Sequence, residues 1–331
     1  MIRIAVDAMG GDHAPSSIID GALAAARHLD LGLDLAGPAD VIRAELARHP
    51  DAGHLSIRIL DAPDVVGMTE SPTAALRRKS RASIRVAAES VASGSAAALV
   101  SAGHTGATVM AAHGAFGMLP GVDRPALAAT IPSGDRLGIL LDVGANVECR
   151  SQHLLQFAAM GAVYAKVSFG VKHPRIGLLS IGEEEGKGNE LIRDAHRLLK
   201  ASTLNFIGNV EAREVYKGNA DVIVCDGFTG NIALKASEGL VDTVERLLEE
   251  ELNRTFSGMV GSLLSRRAFR RFRRRLDYSE YGGAPLLGVA GVCIVGHGRS
   301  SAKAVRNAVA MAHRFATAGF LQRVEHEIAA A

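Results

Sequence analysis

Val6-Asp7-Ala8-Met9-Gly10-Gly11-Asp12-His13-Ala14-Pro15 follows directly on the apolar run 3–6 and precedes a helical stretch at 16–29. A strand, a glycine turn and a helix form the repeating unit of a sheet with parallel strands, and that unit recurs down the chain. Strands are expected at 3–6, 33–36, 56–60, 97–100, 127–131, 139–142, 176–181, 205–207, 222–225 and 292–295. Several are continuous apolar runs, which suits strands covered on both faces. Helices are expected between them at 16–29, 39–48, 105–118, 152–166, 189–200, 232–254 and 301–315. The alternation predicts an α/β fold: a mostly parallel sheet with helices on both faces.

Composition narrows the class. Of 331 residues, 48% are hydrophobic, 22% charged and 4% aromatic. That is too apolar for a disordered chain. A chain of this length buries about three quarters of its unfolded surface and needs no covalent staple. With no linker or repeat visible, 1–331 reads as a single intermeshed catalytic domain. The three cysteines, Cys149, Cys225 and Cys293, are scattered and form no C-x-x-C pair. They argue against a disulfide framework or a structural zinc, and for a reducing cytoplasm. Residues 2–6 read as a strand rather than a signal peptide. The uncharged stretch 90–122 holds His104, His113 and six glycines, which fits a strand, a turn and a buried helix better than a membrane span.

Polar residues and glycines gather where the strands end. After the first loop come Ser101-Ala102-Gly103-His104-Thr105-Gly106, Asp142-Val143-Gly144-Ala145-Asn146 and Gly182-Glu183-Glu184-Glu185-Gly186-Lys187-Gly188-Asn189-Glu190. Then follow Gly208-Asn209-Val210-Glu211, Asp226-Gly227-Phe228-Thr229-Gly230-Asn231 and Gly296-His297-Gly298-Arg299-Ser300. In open α/β sheets, ligands bind beyond the carboxyl ends of strands, so one shared cleft is expected. Glycine loops opening helices present backbone N–H groups and favour an anion. Lys187 adds a cation. The loop at 182–188 is not a Walker A motif, and no G-x-G-x-x-G follows the first strand. A small anion such as phosphate is therefore favoured over a nucleotide. No G-x-S-x-G elbow and no H-E-x-x-H pair occurs. Cys225 falls within a strand and reads as a buried thiol. Asp7, Asp142 and Asp226 read as backbone braces rather than cation ligands. His297, between two glycines, reads most easily as a loop hydrogen-bonding residue, with a side chain that faces substrate as the alternative.

These strings together resemble the bacterial phosphate acyltransferases that make acyl-phosphate from acyl carrier protein for phospholipid synthesis. The match runs from Val6–Pro15 through 101–107, 142–146, 181–184, 187–190, 206–211, 226–231, 281–288 and 297–298, in order across nearly the whole chain. The chain departs from the pattern at His104, Ser180 and Gly296. The resemblance implies a Rossmann-like three-layer α/β/α fold related to phosphotransacetylases and isocitrate-dehydrogenase-like enzymes. It also implies a homodimer, with no metal and no cofactor. The implied reaction is attack of inorganic phosphate on a thioester, releasing the carrier thiol. A phosphotransacetylase acting on acyl-coenzyme A is the alternative.

On this reading Lys187 and Asn231 are catalytic, through charge stabilisation and donation to the oxyanion or phosphate. The site is expected to be shaped by Gly10, Gly11, Asp12, Gly103, His104, Thr105, Gly106, Asp142, Asn146, Glu183, Asn189, Asp226, Thr229 and His297.

The formal charge is +2, but seven arginines fall within 266–275, and without them 30 basic face 35 acidic residues. One basic patch thus rides on a mildly acidic body, with no base-reading motif for nucleic acid. Within 255–283, apolar residues at 256, 260, 263, 264, 268, 272 and 276 give one face of a protruding basic amphipathic helical segment. Leu263, Leu264, Arg266, Arg267, Phe269, Arg270 and Phe272 are expected to touch an anionic membrane surface or the carrier protein, with packing on a partner subunit inside a solvated arginine rim as the alternative. The protein is then cytoplasmic and peripheral at the inner face of the membrane. Its product would pass to a membrane acyl-phosphate:glycerol-3-phosphate acyltransferase.

Overall fold

The computed structural model describes residues 1–267, 269 and 281–330. Eleven strands form one sheet: β1 Ile2–Asp7, β2 Leu31–Gly37, β3 Ile57–Asp61, β4 Ala98–Ser101, β5 Ala126–Ser133, β6 Arg136–Leu141, β7 Ile176–Ser180, β8 Phe206–Glu211, β9 Val222–Val224, β10 Ala284–Leu287 and β11 Val292–Val295. Their order is β3-β2-β1-β4-β11-β10-β5-β6-β9-β7-β8.

Side chains alternate across the sheet, as strand geometry requires. Ile4 and Val6 join a core with Leu23, Phe157, Tyr164 and Phe315, whereas Ala5 joins one with Leu99, Ile84, Leu140 and Ile223 on the other face. Both faces are covered by helices, so the expected layering holds. Gly161 brings the helix Ser151–Phe169 down hard on the sheet: a Cβ there would lie 2.6 Å from Val222 Cγ1.

The sheet is less uniform than the apolar runs predicted. β10 pairs antiparallel with β11 and β5, and β5 antiparallel with β6, whereas the other pairings are parallel. The set β6-β9-β7-β8 therefore runs against the set β3-β2-β1-β4-β11. β10 escaped the sequence reading because it is four residues long with a proline in it, a composition that argues against an inner strand.

Register shows where the two sets end. Leu286 pairs with both Cys293 of β11 and Leu127 of β5, and the next residue of β5, Ala128, pairs with Leu141, the last of β6. β6 thus stops almost level with Val295, the last residue of β11. The two sets run toward each other and both end in the middle of the sheet, not at its outer edges.

The uncharged stretch 90–122 resolves into the end of the helix Ser83–Ala92, β4 and the helix Thr105–Phe116. No described helix is long and apolar enough to cross a membrane. The basic segment begins as the helix Phe256–Leu264. Leu263 and Leu264 are exposed at 67% and 81%, and Arg266 and Arg267 are exposed as well. Phe269 is partly buried, and Arg270 and Phe272 lie outside the described residues.

Candidate active site

The strand-end loops form two groups, one for each direction of strand. In the first, the ends of β1, β4 and β11 interlock. Ser101 Oγ donates to Asp7 Oδ2 at 2.7 Å, and Gly103 N donates to Ser101 Oγ at 3.1 Å. Burial pushes the Asp7 carboxyl above the usual range, against hydrogen bonds from Ser83, Ser101 and Met9. A Cβ on Gly10 would come 2.7 Å from Gly103 N, so only glycine lets these two turns touch. Gly11, at φ +109°, lies against the Gly298 carbonyl, which also accepts from Asp12 N at 2.8 Å. His104 caps its helix by accepting from Gly106 N at 3.1 Å, leaving Thr105 exposed beside it. His297 is half-buried, and its Nδ1 accepts from Arg299 N at 3.2 Å. Burial and the nearby Lys235 hold its pKa below the ordinary histidine value.

In the second group, β6, β9, β7 and β8 end side by side. The Asp142 carboxylate is fully buried and accepts from the backbone N–H groups of Leu127, Gly144, Ala145 and Asn146 at 2.8–3.1 Å. It also takes Asn146 Nδ2 at 2.9 Å, and burial still pushes its pKa upward. Asn146 ties the loop to the Pro125 carbonyl at 2.6 Å and accepts from Gly227 N at 2.8 Å. Asp226 caps the helix Gly227–Asn253 through Thr229 N at 2.8 Å and the Thr229 hydroxyl at 2.7 Å. Asn189 caps Glu190–Ala201 through Ile192 N at 3.0 Å. These residues hold backbone. Asp142 is a brace that accepts from five N–H groups, whereas Asp226 accepts one backbone N–H and one hydroxyl as a helix cap. Cys225 is buried, its thiol 3.4 Å from the Asp142 carbonyl and its pKa pushed well up by burial.

Lys187 and Asn231 are both exposed in this group, as are Glu183, Asn189 and Thr229, of which Asn189 and Thr229 are tied to the helix caps just described. Lys187 makes no ion pair with any described residue, while neighbouring Glu183 sits 3.9 Å from Arg213. β7 and β9 are adjacent parallel strands, so the two loops leave neighbouring ends on the same edge. Exposed Val147, Ile181, Phe228 and Ile232 rim these ends.

The helix Gly227–Asn253 joins the two groups. It starts beside Asp142, carries Asn231 in its first turns, and brings Lys235 and Glu238 into the electrostatic field of His297. Lys235 pairs with Glu238 at 2.7 Å. The sequence reading passed over both, yet 231, 235 and 238 are spaced i, i+4, i+7 and share a helical face. Among the described residues one cluster has metal-ligand chemistry, Asp20, Glu45 and His49. It lies apart from both loop groups; His49 Nε2 stands 2.9 Å from Asp20, and Glu45 is paired with Arg48 at 3.1 Å.

Comparison with known proteins gives a consistent result. The family model described as "Fatty acid synthesis protein" matches residues 2–323. The chain is 50% identical over 327 residues to the phosphate acyltransferase of Acidobacterium capsulatum, covering 99% of this chain and 97% of that protein. It is 48% identical to the phosphate acyltransferase of a Geobacter species, covering 99% and 93%. Among solved structures, a phosphotransacetylase from Streptococcus pyogenes superposes with a TM-score of 0.65 at 18% identity, covering 96% of this chain and 94% of that one. The EutD phosphotransacetylase from Staphylococcus aureus gives 0.60 at 16% identity, covering 95% and 94%. At such identities these structures speak for the fold alone.

Proposed function

This chain belongs to the phosphate acyltransferase family of fatty acid synthesis proteins, and from that premise we propose that it moves a fatty acyl group from acyl carrier protein to inorganic phosphate. A phosphate oxygen attacks the thioester carbonyl, the C–S bond breaks, and acyl-phosphate leaves beside the free carrier thiol. With monohydrogen phosphate as nucleophile, its own proton balances the thiolate, so the step needs no further reactant.

The observation that carries the reading is a division of labour. Around the ends of β6, β7 and β9, Asp142, Asn146, Asp226 and Asn189 are engaged with backbone, whereas Lys187 and Asn231 face outward. A lysine supplies charge for a phosphate dianion, and a carboxamide donates to a developing oxyanion; losing one such donor typically costs about 10²–10³ in rate. Holding phosphate in line with the carbonyl supplies the rest by positioning. The first group of loops, with Gly10, Gly11, Gly103 and Gly106 allowing close approach and a neutral His297, faces the remainder of the substrate.

Two partners follow from surface chemistry. Leu240, Val244, Leu247 and Leu248 stand exposed at 37–64% along one long helix, a stripe suited to a second copy of the chain. Leu263, Leu264, Arg266 and Arg267 beyond it suit an anionic membrane, placing the enzyme at the inner face beside the acyltransferase that uses acyl-phosphate. Release of carrier thiol, measured against release of coenzyme A thiol from an acyl-coenzyme A, tests the donor. Faster phosphate-dependent release from coenzyme A would move the assignment to a phosphotransacetylase.

A further inference from the structure

The turn bearing Lys187 closes when Lys187 N donates to the Glu184 carbonyl at 3.0 Å. That same carbonyl accepts a second hydrogen bond, from Asn209 Nδ2 at 2.9 Å. Asn209 Oδ1 lies 2.9 Å from His196 Nδ1, and the His196 ring stands edge-on to Phe206 with centroids 5.0 Å apart. Asn209 is 7% exposed and His196 6%. The other side-chain ties on this loop lie at the surface: Lys200 with Glu185 at 2.9 Å and Arg213 with Glu183 at 3.9 Å, with side chains more than half exposed, Arg193 donating to the Gly188 carbonyl at 2.8 Å, and His196 Nε2 3.9 Å from the exposed Glu185 carboxylate. Exposed pairs of that kind fix geometry weakly, whereas a buried, fully satisfied polar chain fixes it strongly.

We propose that His196 and Asn209 are positioning residues that hold the Glu184–Lys187 turn, and with it the Lys187 ammonium, in its working place. This rests on the assignment of Lys187 above. The chemistry is directional. With Nδ2 committed to Glu184, Asn209 can only accept through Oδ1, so His196 presents its Nδ1–H. An aspartate at 209 still accepts from His196 but turns an oxygen toward the Glu184 carbonyl, which repels it. Glutamine at 196 keeps a donor; leucine removes it.

Two readouts test this in the full-length protein. The first needs no substrate: hydrogen exchange of residues 182–188 should quicken in Asn209→Asp and His196→Leu and stay near wild type in His196→Gln. The second is phosphate-dependent thiol release from palmitoyl-carrier protein. There kcat/KM should fall about 10–100-fold in Asn209→Asp and about tenfold in His196→Leu, while His196→Gln stays within about threefold, all with near-native melting temperatures. Unchanged exchange in Asn209→Asp overturns the inference whatever the activity, as does an equal fall in both His196 variants. A Lys187→Ala protein that keeps full turnover would instead remove the assignment of Lys187, leaving the exchange result to judge the turn itself.

Discussion

Gly144 lies directly against the Asn231 carboxamide: a Cβ built on Gly144 would stand 3.2 Å from Asn231 Nδ2. The φ of Gly144 is +136°, a region that side-chain-bearing residues rarely adopt. The Asp142 loop thus floors the position of Asn231. Gly144→Ala should strain the loop, displace the carboxamide, and lower phosphate-dependent kcat/KM by about 10²-fold, the size of a lost oxyanion donor. Steady-state kinetics check this; full turnover would show that Asn231 is placed by other means.

Two buried aspartates on neighbouring strands should respond to pH with opposite signs. Burial tends to raise the Asp34 carboxyl, but Arg58 at 2.5–2.8 Å and Arg3 at 2.7 Å outweigh it and leave it below the usual value of 3.8. Its stabilisation is present above that value and is lost as pH falls through the lowered one. Asp7 has no cationic partner among the described residues, and burial raises it. Its contribution is full below 3.8 and is lost as pH rises through the raised value. Melting temperature against pH for Asp7→Asn and Asp34→Asn separates them. The Asp7 variant should gain on wild type as pH rises, and the Asp34 variant should lose about 3 kcal/mol near neutrality.

The exposed stripe on the long helix gives a prediction about assembly. Leu240→Asp with Val244→Asp should convert a dimer to a monomer in sedimentation. An unchanged sedimentation coefficient would place the contact between copies elsewhere.

Leu263→Asp with Leu264→Asp should weaken binding to vesicles containing anionic lipid, while thiol release in the absence of lipid stays near wild type. If co-sedimentation with the vesicles does not change, these leucines do not insert.

Much of this was legible in the residues themselves. The strand, glycine turn and helix units were visible because continuous apolar runs and helical periodicity are local signals, and Lys187 and Asn231 stood out in glycine loops. The reversal of half the sheet was not visible. It depends on the pairing of β10, a four-residue strand with a proline, and on β5 turning back into β6. One shared cleft was expected from the residues; the loops follow strands of opposite direction, yet β6 and β11 end nearly level at mid-sheet, with the helix Gly227–Asn253 between the two sets of loops. Asp142 and Asp226 already read as braces in the sequence; that Asn146 and Asn189 also hold backbone shows only in their hydrogen-bond partners, because a polar residue at a strand end can brace a turn or stay outward.

The most direct test is incubation with palmitoyl-carrier protein and inorganic phosphate, without added metal, followed by hydroxylamine trapping of acyl-phosphate. The wild-type chain should form trapped product only when phosphate is present, and Lys187→Ala, melting at the wild-type temperature, should form it about 10²–10³-fold more slowly. Wild-type rates from the Lys187→Ala protein, or no acyl-phosphate from the native enzyme, would contradict the account.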